Sequence, residues 1–160
     1  MIDELIHTFD ATLQFMELSV ADLSDAQMVQ QPAGVPNHAT WQLGHMVTSC
    51  QGMAAELGVE PWLPDDWEER FGYGSSPSSD RARYPTKQEM LAALSDAASR
   101  LGQAIRAADE SVLRRPLPDE TLPTMGHVLF QVVVAHTAYH AGQLAVWRRA
   151  IGERSVAVFV

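Results

Sequence analysis

His136-Thr137-Ala138-Tyr139-His140-Ala141-Gly142-Gln143-Leu144 lies inside a run from Met125 to Ile151 that carries no proline. Between Pro123 and Gly152 only two glycines interrupt it, and apolar or ring-bearing residues recur at Val128, Leu129, Val132, His136, Tyr139, Val146 and Trp147. That is the 3.6-residue period of a helix with a buried face, and a histidine sits in the middle of it. His140 follows four residues later, so both imidazoles leave the same side of the helix about one turn apart. Two histidines so placed can reach one metal ion, because neutral imidazole is a good ligand for zinc, nickel, copper and iron. A third ligand is required, and His45 is a good candidate for it.

The rest of the chain supplies the framework. Ile2, Ile6, Phe9, Leu13, Met16, Val20 and Leu23 form a narrow seam in steps of three and four, the pattern of a bundle helix, with Asp3 and Glu4 in its first turn. A short helical turn to about Gln30 precedes the breakers Pro32, Gly34 and Pro36. A second helix is expected from Ala39 to Leu57, closed by Gly58. Trp41, His45, Thr48 and Gly52 form a row beside its apolar stripe, with small residues that leave room for a ligand. Thr86-Lys87-Gln88-Glu89 is a capping box opening a third helix, whose seam runs from Met90 through Leu94 and Leu101 to Ile105. Thr124 is placed to cap the fourth, with Arg148 and Arg149 in its last turns.

These elements predict an all-α fold, a four-helix bundle. The long link between the second and third helices lets those two run parallel, as in bundles with a crossover connection. Residues 1–152 form the bundle and 153–160 a short apolar tail. The link, Val59 to Pro85, carries Trp62, Trp67, Phe71 and Tyr73, which need something to pack on; it is expected to fold back over the open metal position. Helix four is apolar on more than one side at Val132, Val133, Val134, Ala135 and Ala138. With the tail, that predicts a homodimer.

Composition narrows the function classes. A net charge of −9 over 160 residues disfavours nucleic acid and anionic membranes as partners. A single cysteine, Cys50, fits a reducing compartment and is read as core. Asp3 and Glu4 stand where a signal peptide carries positive charge, so a soluble, cytoplasmic protein acting on a small molecule is expected. Other motifs fail. The metalloprotease spacing is present at His136 and His140, but Thr137 replaces the glutamate. A ferritin-like site needs two Glu-x-x-His repeats, and only Glu4-Leu5-Ile6-His7 matches. His7, His38 and His127 lack a partner at ligand spacing, and the acidic cluster Asp65, Asp66, Glu68, Glu69 reads as a solvated loop. Pattern alone leaves two readings of His45, His136 and His140: one metal site, or three hydrogen-bonded bundle residues.

Asn37-His38-Ala39-Thr40-Trp41-Gln42-Leu43-Gly44-His45 resembles the second-helix motif of the DinB-like (DinB/YfiT) superfamily. His136-x-x-x-His140-x-Gly142-Gln143-Leu144, followed by Arg148-Arg149 and Gly152, resembles its last-helix motif. The resemblance implies up-down-down-up topology and a divalent metal held by His45, His136 and His140. Zinc or nickel are the expected ions, with iron(II) or manganese(II) as further candidates. Many relatives carry glutamate where this chain has Thr137. The resemblance implies several activities: transfer reactions that use a low-molecular-weight thiol, metal-dependent hydrolysis, or no catalysis, as in a dimeric binding module. In the thiol reading the open metal position holds the thiol as thiolate. Trp41 and the aromatic loop shape the pocket, and Gln143 orients a ligand histidine or bound water.

Overall fold

Apolar seams at helical spacing account for the architecture. The structure is a computed structural model that describes residues 2–156, and among these the chain is all-helical. Helix α1 spans Ile2–Leu18 and buries Ile6, Phe9, Leu13 and Met16 of the seam read from the sequence, whereas Ile2, read as its first member, is 39% exposed. Val20 and Leu23 are buried too, but in a turn after the helix rather than in its continuation. A 3₁₀ turn at Gln27–Val29 leads to α2, Ala39–Glu56. Next come α3 (Trp67–Phe71), a 3₁₀ turn at Arg81–Arg83, α4 (Lys87–Ala107) and α5 (Glu110–Leu113). The capping box of α4 is complete: the Thr86 hydroxyl accepts from the Glu89 amide, and the Glu89 carboxylate accepts from the Thr86 amide.

The stretch expected as one fourth helix is built in three pieces. Helix α6 (Met125–Phe130) passes into a wide π turn at Gln131–His136, then into α7 (Thr137–Ala150). Thr124 occupies the N-cap, but its hydroxyl pairs with the His127 ring at 2.7 Å instead of capping a backbone amide. Tyr139 and Val146, read as part of the buried face, are 61% and 47% exposed.

Helix α2 packs most extensively on α4, while α1 packs on α7 and α4. Ile2, Leu5 and Thr8 share a cavity with Leu129, Phe130 and Val134. At the other end of α1, Arg148 donates to the Ser19 carbonyl at 2.9 Å and forms a two-pronged ion pair with Asp22. Leu43, Met90, Leu94, Leu101, Leu144 and Trp147 are fully buried in one core. Among the described residues no helix is long and apolar enough to cross a membrane. Residues 157–160, the second half of the apolar tail, lie outside the described residues.

Candidate metal centre

His45 and His140 project from α2 and α7, and His136 is the last residue of the π turn between α6 and α7. Their donor atoms lie within 4.8 Å of one another. His136 Nε2 is 3.2 Å from His45 Nε2 and 3.1 Å from His140 Nε2. Three nitrogens bound to one tetrahedral zinc at the usual bond length are separated by about 3.3 Å.

Hydrogen bonds on the far sides of two rings decide what these nitrogens present. His45 Nδ1 lies 2.8 Å from the Phe71 carbonyl oxygen, which can only accept, so the proton is on Nδ1. His140 Nδ1 donates to Gln42 Oε1 at 2.5 Å. The Gln42 amide nitrogen donates in turn to Gln143 Oε1 at 2.8 Å and faces the Asn37 carbonyl at 3.4 Å, which sets the amide's orientation. In the neutral form of both rings, Nε2 is therefore a lone pair aimed at His136. Lone pairs converging from neutral rings repel unless a cation or a proton sits among them. His136 Nδ1 is buried and has no hydrogen-bond partner among the described residues. This donor set fits a divalent ion, and no carboxylate is part of the cluster.

The supporting side chains were only partly visible in the sequence. Trp41 stacks on His45 with ring centroids 4.8 Å apart and planes 7° from parallel, and its indole N–H donates to the Ser75 hydroxyl at 2.8 Å. Trp41 thus backs a ligand instead of facing the pocket. Gln143 acts at one remove, through Gln42, which sequence reasoning missed. Thr48 donates to the Gly44 carbonyl at 3.1 Å, and Ser49 and Gly52 line the pocket in its place. His38 is a fully buried N-cap: its Nδ1 accepts from the Trp41 amide at 3.1 Å and its Nε2–H donates to the Ser78 carbonyl at 3.0 Å. Polarity at the start of a helix was the signal for it. His127 is exposed, and Cys50 is buried with its thiol pushed up to about 12 by desolvation, so it is no nucleophile.

The aromatic link reaches the centre at two points. Phe71 is fully buried against Gly44 and lends its carbonyl to His45, and Tyr73, 98% exposed, lines the pocket that opens on the histidines. Trp67 donates to the Gly44 carbonyl at 3.3 Å. Trp62 instead packs on the outside, under the Arg100 guanidinium, with its amide held by Gln51.

A pocket of about 390 Å³ opens on His45 and His136, walled by Met53, Val128 and Val132, with Glu56 also lining it. Glu56 is paired with Arg115. A larger hollow of about 590 Å³ lies beyond Gln42 and Gln143 but touches none of the three histidines, so the chemistry favours the smaller one.

The sequence profile of the DinB superfamily matches residues 8–144. The chain belongs to the DinB superfamily. A conserved protein from Enterococcus faecalis, known from a crystal structure, shares the fold: 20% identity, TM-score 0.77, covering 94% of this chain and 97% of that one. No functionally curated protein matches the sequence.

Burial alters the pH behaviour that free imidazoles would give this DinB superfamily member. With ordinary pKa values near 6.5, protons would displace a metal below about pH 6. Desolvation, with the His45 ring adding to it, pushes His136 down to about 4. Desolvation and both neighbouring rings push His140 down to about 3, and burial holds His38 at about 4. Each folded-state pKa lies below its unfolded value of 6.5. Their contribution to stability is therefore full above pH 6.5 and is lost as pH falls through that value toward 4, because the unfolded chain takes up protons first. Metal-free protein is expected to show a urea midpoint that falls steadily between pH 6.5 and 5, above the carboxylate range. A midpoint constant over that interval contradicts the assignment.

Proposed function

We propose that this DinB superfamily protein binds one divalent ion, zinc or nickel, through His45, His136 and His140, and that it is a thiol-dependent S-transferase. The observation that carries the metal reading is the pair of Nδ1-protonated rings aiming lone pairs at a third imidazole 3.1–3.2 Å away. Three neutral protein ligands leave the ion its full positive charge and an exchangeable position, the pattern of catalytic zinc. When bound, such an ion supplies a Lewis acid that holds a thiol as its nucleophilic thiolate at neutral pH.

The chain's own residues supply the surroundings. Phe71 and Gln42 keep two rings in the ligating tautomer. Met53, Val128 and Val132 give the pocket an apolar wall suited to an organic electrophile and poor in stabilised water, which favours transfer to sulfur over hydrolysis. The test is a screen of zinc- or nickel-loaded protein against low-molecular-weight thiols with alkylating electrophiles, and in parallel against esters and amides without thiol. Product formation only with thiol present supports the reading. Turnover with water alone makes the protein a hydrolase, and none with either makes it a binding module.

The same reading places the four long helical segments in an up-down-down-up bundle. Its support is that α1 meets the last helix in the same direction, at Ile2 with Leu129 and at Ser19 with Arg148. The exposed α7 face around Tyr139 and Val146 is the surface proposed for a homodimer in the cytoplasm. Sedimentation is expected to give twice 17.6 kDa at micromolar concentration. A Tyr139→Glu protein should sediment as monomer, and a wild-type monomer would remove the dimer from the account.

A further inference from the structure

Met125, Leu129, Val133, Thr137 and Ala141 are all buried, at an unbroken spacing of four residues. In a regular α-helix each such step drifts by about 40°, so four steps would carry the first and last of them about 160° apart. The π turn at Gln131–His136 removes roughly 100° of that drift, the rotation of one residue, and lets α6 and α7 face the same core. It also brings Val128, Gln131 and Val132 alongside His136 on the pocket wall. His136 is the last residue of this turn, whereas His140 stands in the regular helix after it. The distance between the two rings thus depends on how the wide turn ends.

Thr137 is the residue at that end. Its amide N–H bonds to the Val134 carbonyl, three residues back. The Val132 carbonyl, five residues back, receives the Thr137 hydroxyl at 2.9 Å. The side chain is 1% exposed and is not part of the pocket. A hydroxyl thereby bonds a carbonyl five residues back, across the turn, where its own amide turns elsewhere.

From this we infer that Thr137 is a positioning residue for the metal centre: its hydroxyl holds the wide turn open and so sets where His136 meets the other two ligands. The inference rests on the metal reading above. A threonine next to the first histidine of the pair is thereby given a role that is neither ligation nor proton transfer. Valine has nearly the same shape but cannot make the bond, and serine can.

The experiment compares wild type, Thr137→Val and Thr137→Ser, loaded with cobalt(II) in place of the native ion. Affinity and the visible d–d spectrum are read together with thermal unfolding of the metal-free chains. Thr137→Val is expected to bind cobalt about 10- to 100-fold more weakly and with an altered spectrum, the range for residues that orient a ligand. Thr137→Ser is expected to restore both. If Thr137→Val only lowers the unfolding temperature and keeps affinity and spectrum, the residue is merely structural and the inference is overturned. Should Thr137→Val not fold, a Thr137→Ser protein that differs from wild type in spectrum also overturns it. A wild type that binds no cobalt defeats the metal reading itself, a separate outcome.

Discussion

His136→Ala protein, purified without chelator or affinity tag, is expected to carry less than about one tenth of an ion per chain, against about one for wild type. The size of the effect follows from the ligand count. With His136 gone, His45 and His140 leave an ion with two protein ligands; no carboxylate belongs to the cluster, and Glu56 on the pocket wall is held by Arg115. Loss of His45 or His140 should do the same. The His127→Ala protein is the control: it removes an exposed imidazole on the same helical run, whose ring bonds to Thr124, and should leave occupancy unchanged. Elemental analysis of the wild type and the four variants reads the result directly, and full occupancy in His136→Ala would contradict the three-histidine arrangement.

Gly44→Ala is expected to destabilise the protein and weaken its metal site together. A Cβ at position 44 would stand 2.2 Å from Phe71 Cδ1 and 2.5 Å from two further atoms of that ring. Replacing glycine by alanine inside a helix ordinarily stabilises by about 1 kcal/mol. Here the fully buried Phe71 ring has no room to swing aside, and overpacking of this kind costs about 1–3 kcal/mol or more. The clash should win. Displacing α3 also moves the Phe71 carbonyl that fixes the His45 tautomer, so metal affinity should fall with the melting temperature. Gly142→Ala, where an added Cβ meets nothing within 4 Å, should instead raise stability slightly. Equal melting temperatures and affinities for Gly44→Ala and wild type would show that the α2–α3 contact does not support the site.

Much of this was legible because periodicity reports burial. The seam Ile6, Phe9, Leu13, Met16 and the capping box at Thr86 and Glu89 appear as read, since each depends on residues within one or two turns. The histidine pair was legible for the same reason. His45 was found as a polar residue beside a row of small ones, and the structure brings it to the pair.

What could not be read depends on contacts across the fold or on competition between periods. Gln42 looks like any polar residue of α2 until His140 and Gln143 are seen against it. The π turn hides behind Val132, Val133 and Val134, which satisfy several phases at once. Its only trace is the four-residue spacing from Met125 to Ala141. Taking that run as regular helix put Tyr139 and Val146 on the buried face, where they are not. Burial likewise lowers the imidazole pKa values of His136 and His140, which a sequence does not display.

The most direct measurement of the central claim is X-ray absorption at the zinc edge of zinc-loaded protein at neutral pH. Three imidazole nitrogens at about 2.0–2.1 Å, with one further light or sulfur atom exchangeable on adding thiol, are the result predicted here. A first shell of four fixed ligands, or one with fewer than three imidazoles that is unaltered in His136→Ala, would contradict it.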